Sequence, residues 1–234
     1  MIDQLAQRRF TSQSVLMLTL FSCIGTASFA PQMVLEEAEL MHNIVEIDIS
    51  RGAHRSPEYL SINPSGKIPA LKLENGTVMT EASAICLFLA DLHQLSEIAP
   101  GPSDPDRPLF LKTLIYLATS VQDQYKRYYY PERYSTDASN AQNIRDRAVE
   151  LLGEVWAPLE EHLDANGPYC LGPRHSVADT YLVMLASWYP DQDGFRHRFP
   201  SIARCFDLVA ERPIIKAGLD RQHVISVGRK DAGS

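Results

Sequence analysis

The sequence predicts a small α/β domain of order β-α-β-β-α followed by an all-helical domain, and three observations carry that reading. Strand-length apolar runs and two helical patterns share residues 15–93. Four prolines, Pro100, Pro102, Pro105 and Pro108, then mark a linker over 94–108. From Leu109 onward every periodic segment repeats at helical spacing, which gives a second domain over 109–225. Residues 1–14 read as a polar extension and 226–234 as a tail.

Each element has its own signal. Val15 to Phe21 is an apolar run of strand length, and Ser22 to Ser28, small residues around Gly25, reads as a loop. Pro31 suits the first turn of a helix, where its missing N–H has no partner to lose. Val34, Leu35 and Ala38 follow at helical spacing, up to about Leu40. Asn43 to Ile49, apolar at Ile44, Val45, Ile47 and Ile49, predicts a second strand reached by a crossover. Arg51 to Asn63 reads as a polar loop, and Asn63-Pro64 and Ser65-Gly66 as turns. Ala70 to Leu73, the hairpin signal Asn75-Gly76, and Val78-Met79 predict two antiparallel strands. Thr80 and Glu81 open a helix with the face Ile85, Phe88, Leu89 and Leu92, ending near His93. In the second domain, helices are predicted over Leu111 to Val121, Ile144 to Leu163, Val177 to Trp188 and Pro200 to Val209, with a short one after Pro213.

Composition excludes several classes. At 45% hydrophobic and 22% charged over 234 residues, the chain is neither collagen-like nor wholly disordered. Lys and Arg number 22 against 29 Asp and Glu, and a net charge of −7 argues against nucleic acid as a partner. No apolar run reaches ~18 residues, so no membrane-spanning helix is expected. Cys23, Cys86, Cys170 and Cys205 form no CxxC pair and no His cluster accompanies them, so no metal site is expected; they read as buried reduced thiols of a cytoplasmic protein. Arg8-Arg9, the apolar run to Ile24 and Ala27-Ser28-Phe29-Ala30 have the pattern of a secretory signal. Cleavage there would remove the first strand, so the cytoplasmic reading is preferred.

Four segments in order resemble the glutathione S-transferase family, in particular its bacterial classes. Leu18 to Pro31 with Val34 to Ala38 is similar to the family's first strand, active-site loop and first helix. Asn63-Pro64-Ser65-Gly66-Lys67-Ile68-Pro69-Ala70-Leu71 is similar to its cis-proline segment. Glu81-Ala82-Ser83-Ala84-Ile85 sits where the family carries a Glu-Ser glutathione motif, and Ser176-Val177-Ala178-Asp179 is similar to its buried capping motif. The resemblance covers about residues 16–190 and implies a thioredoxin-like first domain, glutathione as co-substrate without a metal, a hydrophobic electrophile as second substrate, and a homodimer.

It also assigns expected roles. Ile68 would pair its backbone with the cysteinyl unit of glutathione, with a cis bond to Pro69 setting the turn. Glu81 and Ala82 begin a helix whose free N–H groups suit the γ-glutamyl carboxylate; Glu81 alone reads equally as a charge favouring the first helical turn. Ala82 replaces the family's serine, which weakens that contact without removing the N–H. Lys67 would pair with the glycyl carboxylate, unless it is simply an exposed lysine. Free thiols have a pKa of ~8.5, so a transferase must stabilise the thiolate. The bacterial cysteine-type pattern Gly-x-Cys-Ser-Leu-Ala-Pro reads here Gly25-Thr26-Ala27-Ser28-Phe29-Ala30-Pro31, so Ala27 stands at the cysteine position. A tyrosine is also missing, since Phe21 and Ser22 occupy its place. The remaining donors are Ser28, then Thr26, then Cys23, although Ser28 also reads as an N-cap.

The helix after the linker carries an aromatic and basic cluster from Gln124 to Tyr134, in which Tyr125, Arg127 and Tyr128 are candidates for the electrophile pocket, with Trp188 and Tyr189 as a second wall. A dimer interface or a solvated helix end fits the same residues. Ser176 and Asp179 have capping-box spacing and read as a folding element. Three activities stay open: transfer of the thiolate to an electrophile; isomerisation or ether or ring cleavage with glutathione recycled; and non-catalytic glutathione binding.

Overall fold

The computed structural model describes the backbone of residues 17–230 and the side chains of residues 17–222. The expected extension 1–14, Val15 and Leu16 of the expected first strand, and residues 231–234 lie outside the described residues. Four strands, β1 (Leu18–Ser22), β2 (His42–Glu46), β3 (Ala70–Lys72) and β4 (Val78–Thr80), form one sheet of order β2-β1-β3-β4. β1 and β2 are parallel, while β3 is antiparallel to both β1 and β4. Helices α1 (Phe29–Glu37) and α3 (Ala82–Leu92) cover one face, where Leu18, Leu20 and Leu71 join the main core. The other face buries Phe21 and Ala70 against Tyr59 of α2 (Pro57–Ile62).

α2 lies inside the segment that the sequence reading gives as a polar loop. Its start is locally encoded: Ser56 Oγ accepts from Tyr59 N at 3.2 Å, and Pro57 occupies the first turn. Polarity hid it, because only Tyr59 of its six residues is buried. β2 ends at Glu46, earlier than expected, and Ile49–Arg51 turns as a 3-10 helix capped by the Asp48 side chain.

The rest is helical: α4 (Arg107–Tyr116), α5 (Gln122–Tyr129), α6 (Ala141–Asn166), α7 (Val177–Ala186), α8 (Gln192–Arg198), α9 (Pro200–Ala210) and α10 (Pro213–Lys230). α4 passes into α5 through one turn of π-helix, Leu117–Val121. α8 is unforeseen in the sequence reading, and α10 is eighteen residues where a short helix is expected. All ten residues of α7 are buried, as suits a helix at the centre of a bundle. The linker is held at both ends: Arg107 donates to both Asp91 carboxylate oxygens at 2.8 Å, and Arg174 donates to Asp104 at 2.7 Å.

The last helix packs against the first. Gly218 of α10 lies so close to α1 that a Cβ there would run into Met33 Sδ. Arg212 Nε donates to Glu37 Oε1 at 2.8 Å, and Arg221 Nη2 grips both oxygens of Glu36 at 2.8 and 2.7 Å. All four cysteines are buried free thiols, as the sequence predicts.

Candidate functional site

Strand directions bring three features to one edge of the sheet. Phe21, Ala70 and Thr80 form the last paired row, so Ser22, Pro69 and Glu81 come next on the same edge. β1 and β4 both end there, and the helices that follow them, α1 and α3, both start there. β3 begins there, preceded by a cis Ile68–Pro69 peptide. The Ile68 main chain has no hydrogen-bond partner among the described residues. Its neighbour is fixed: the Lys67 carbonyl accepts from Tyr59 Oη at 2.6 Å and Asn63 Nδ2 at 2.7 Å.

Both helix starts lack a side-chain cap. At α3 this leaves the N–H groups of Ala82, Ser83 and Ala84 without an acceptor among the described residues, where the helix dipole favours negative charge; at α1 the Thr26 carbonyl accepts from Phe29 N at 3.2 Å, Pro31 has no N–H, and only Ala30 N–H is left. Glu81, the residue before α3, adopts φ 66°, the left-handed region that a β-carbon disfavours. Glu81 is exposed, whereas Ala82 and Ser83 behind it are buried.

The β1–α1 loop places the expected thiolate donors differently from the sequence reading. Ser28 is 1% exposed. Its Oγ accepts from Ser22 Oγ at 2.8 Å and from Cys23 N at 3.2 Å, and donates to the Cys23 carbonyl at 3.0 Å. Thr26 Oγ1 donates to that same carbonyl at 2.6 Å and lies 2.9 Å from Ser28 Oγ. Ser28 therefore neither caps α1 through its side chain nor presents a free hydroxyl proton; with Thr26 it pins the loop. Cys23 is buried, with Sγ 3.6 Å from the Ile24 carbonyl. Of this loop Gly25 is exposed, and Ile24 and Thr26 are half-buried.

The expected electrophile wall is also redistributed. Tyr125 is 2% exposed, its Oη accepts from Trp156 Nε1 at 3.2 Å, and burial pushes its pKa up; it is a core residue, not a pocket wall. Arg127 is turned back along its own helix onto Asp123 and the Gln124 side chain. Tyr128 is half-buried, edge-on to Tyr129, whose Oη donates to the Trp188 carbonyl at 2.6 Å. The exposed aromatics of the cluster are Tyr129, Tyr130 and Tyr134, with Arg133 over Tyr130 at 4.0 Å.

Three residues went unnoticed in the sequence: Tyr59, which with Asn63 of the cis-proline segment holds the Lys67 carbonyl, and His54 and Arg55 before it. Arg55 Nη1 donates to the Ser65 carbonyl at 3.2 Å, and a Cβ on Gly66 would meet the His54 carbonyl at 2.9 Å. His54 Nδ1 is buried and unpartnered among the described residues. Their signal was the helix start Ser56-Pro57-Glu58, which would have placed them against the Asn63-Pro64 turn. Ser176 and Asp179 form the expected capping box. Among the described residues no cluster of His, Cys, Asp and Glu could hold a metal, and no helix is long and apolar enough to cross a membrane.

A mixed four-stranded sheet with two open helix starts and an unpaired strand edge, followed by a helical bundle, defines a thioredoxin-like ligand-binding protein. The family models described as the N-terminal and C-terminal domains of glutathione S-transferase match residues 28–92 and 121–221, and the chain belongs to that family. It is 27% identical over 210 residues to the uncharacterized GST-like protein YncG of Escherichia coli K12, covering 89% of this chain and 100% of that one. Identity to the glutathione S-transferase GstA of Escherichia coli O157:H7 is 25% over 210 residues, with 88% and 98% covered. A solved glutathione transferase homologue from Sulfitobacter, which holds bound glutathione, superposes with a TM-score of 0.79 at 28% identity over 88% of this chain and 98% of that one.

Proposed function

We propose that this protein is a glutathione transferase that activates the glutathione thiolate for attack on a hydrophobic electrophile. The observation that carries the reading is the shared edge: two uncapped helix starts flank an unpaired main-chain segment at Ile68. Ile68 N–H and C=O suit the cysteinyl unit, as one strand suits another. The start of α3 suits the γ-glutamyl carboxylate through the main-chain N–H of Ala82, with Glu81 beside the ammonium. Lys67, with Arg55 next to it, suits the glycyl carboxylate. The start of α1 then faces the sulfur, and its dipole, with the one N–H of its first turn that lacks an acceptor, that of Ala30, favours the thiolate over the thiol. Ser28 and Thr26 contribute by fixing that turn.

The reaction balances simply. The thiol proton leaves to solvent, the thiolate forms a carbon–sulfur bond to the electrophile, and the leaving group departs or the addition is completed by a proton from water. The test is ultraviolet difference absorbance of glutathione bound to the protein, followed against pH. A thiolate appearing at least one unit below free glutathione supports the reading. Saturable binding without a shifted thiolate leaves a non-catalytic glutathione-binding protein. Stoichiometric loss of thiol during turnover separates transfer from isomerisation or cleavage, which return glutathione. A homodimer goes with this reading, and light scattering at about twice the chain mass of 26.2 kDa checks it.

A further inference from the structure

A cavity opens directly beside the start of α1. Ser22, the last residue of β1, Ile24 of the loop and Phe29, the first residue of α1, all line it. β2 contributes Ile44 and Glu46, and α10 contributes Gly218 and Arg221. It is therefore a cleft between the two domains, and it shares Ser22 and the α1 start with the glutathione edge. Its volume is about 210 Å³, below the ~300–1,000 Å³ of sites that enclose drug-sized ligands, so it suits a single ring or a short chain.

The apolar part of the lining is set in advance. Phe29 and Met33 are buried, and Gly218 lets the α10 backbone come against both: a Cβ there would lie 3.1 Å from the Phe29 ring and run into Met33. Ile44 differs. It is 40% exposed on an edge strand, an apolar side chain left in water that a ligand in the cleft would cover.

Charge narrows the class of ligand. The cleft has one guanidinium, Arg221, and it already holds both oxygens of Glu36, at 2.8 and 2.7 Å. Gln32 Nε2 donates to the same carboxylate at 2.7 Å. The Glu46 carboxylate has no ion pair or hydrogen bond among the described residues. An anion entering here meets a neutralised cation and a free carboxylate, whereas a neutral or cationic group meets an acceptor. The wall expected on α5 offers no equivalent, because Tyr125 is core and Arg127 lies on Asp123.

We infer that the second substrate binds in this cleft between α1, β2 and α10, and that it is a compact electrophile with an apolar body and no negative charge. The inference rests on the glutathione reading above, which puts the sulfur at the start of α1. The bond changes are those of the reaction given there; the cleft supplies position and no proton.

The experiment measures, by calorimetry, the affinity of wild-type protein and variants for three stable thioethers: S-methylglutathione, S-benzylglutathione and S-(para-carboxybenzyl)glutathione. The benzyl ring should tighten binding about tenfold over methyl, as burial of an aromatic ring predicts, and the added carboxylate should remove most of that gain. Ile44→Trp fills the cleft from an exposed edge-strand position that accepts an aromatic. It should abolish the benzyl advantage and leave S-methylglutathione affinity within about twofold. Glu46→Lys should raise the affinity for the carboxybenzyl derivative about threefold relative to the benzyl one.

A benzyl advantage that survives Ile44→Trp overturns the inference, and so does one lost in Tyr128→Ala, which seats the ring against α5. No advantage in wild-type protein overturns it as well. Equal affinity for the benzyl and carboxybenzyl derivatives overturns the charge assignment. If wild-type protein does not bind even S-methylglutathione, the glutathione reading has failed and the cleft loses its role with it; binding of that thioether tells the two failures apart.

Discussion

The starts of α7 and α1 are built from the same material, a serine hydroxyl beside buried main chain, and end in opposite states. At α7, Asp179 accepts from Ser176 N and Cys170 N, each at 2.7 Å, and from Ser176 Oγ at 3.0 Å. The end is closed, and Asp179 is 0% exposed. α9 is closed from outside, by Glu160 of α6 accepting from Ser201 N and Ile202 N at 2.9 Å. At α1 the Ser28 hydroxyl turns to the preceding loop and leaves its own helix uncapped. At α3 a strained glutamate stands where a cap would be. A serine at a helix start thus closes it at α7, where Ser176 and Asp179 face one another, and leaves it open at α1, where the hydroxyl turns to the preceding loop.

The largest effect should come from opening the closed end. Asp179→Ala leaves two buried N–H groups without an acceptor and should cost about 3 kcal/mol. Chemical denaturation reads this, and glutathione affinity per folded molecule should not change; a stability loss below about 1 kcal/mol would erase the distinction between the two kinds of start. Acid should attack the same end next. His175 precedes Ser176, and burial, with the Arg212 charge, lowers its pKa from 6.5 to about 3. The unfolded chain binds this proton at higher pH than the folded one, so stability is complete above about pH 6.5 and falls as pH drops toward 3. The loss should be on the order of 3 kcal/mol by pH 4, and His175→Gln should flatten that limb of the profile.

The open ends should respond less in stability and more in binding. Ser28→Ala should cost about 1–2 kcal/mol, because Ser22 and Cys23 lose their acceptor. It should leave the bound thiol pKa nearly unchanged; a rise of a full unit would restore Ser28 as the direct donor. The smallest shift has the opposite sign. Glu81→Gly relieves φ 66° and should raise stability by about 1 kcal/mol while weakening glutathione affinity. Calorimetry and thermal melting on one sample check both halves.

Much of this was legible in sequence because the signals are local. Asn75-Gly76 announced the β3–β4 hairpin, Ser176 to Asp179 announced the closed start of α7, and helical spacing placed α3, α6 and α9. α2 escaped because its face is too polar for periodicity, although Ser56-Pro57 encodes its start. Tyr125 was misplaced because an aromatic beside arginines reads as surface, and only the tertiary neighbour Trp156 shows it to be core. Ser28 was half legible. Its place in the loop before α1 was legible, but the direction of a hydroxyl is set by partners such as Ser22 and the Cys23 carbonyl, which no spacing reveals.

The seat of α10 on α1 ties the ends of the chain together in time as well as in space. Arg212 and Arg221 reach partners 175 and 185 residues earlier. At a synthesis rate of roughly 5–20 residues per second, α1 leaves the ribosome roughly 10–40 s before the helix that covers it. For that interval Met33 and Phe29 lack the backbone of Gly218 against them, so the nascent first domain emerges with an unshielded flank. Chaperone capture of the growing polypeptide should therefore persist until translation reaches the last helix.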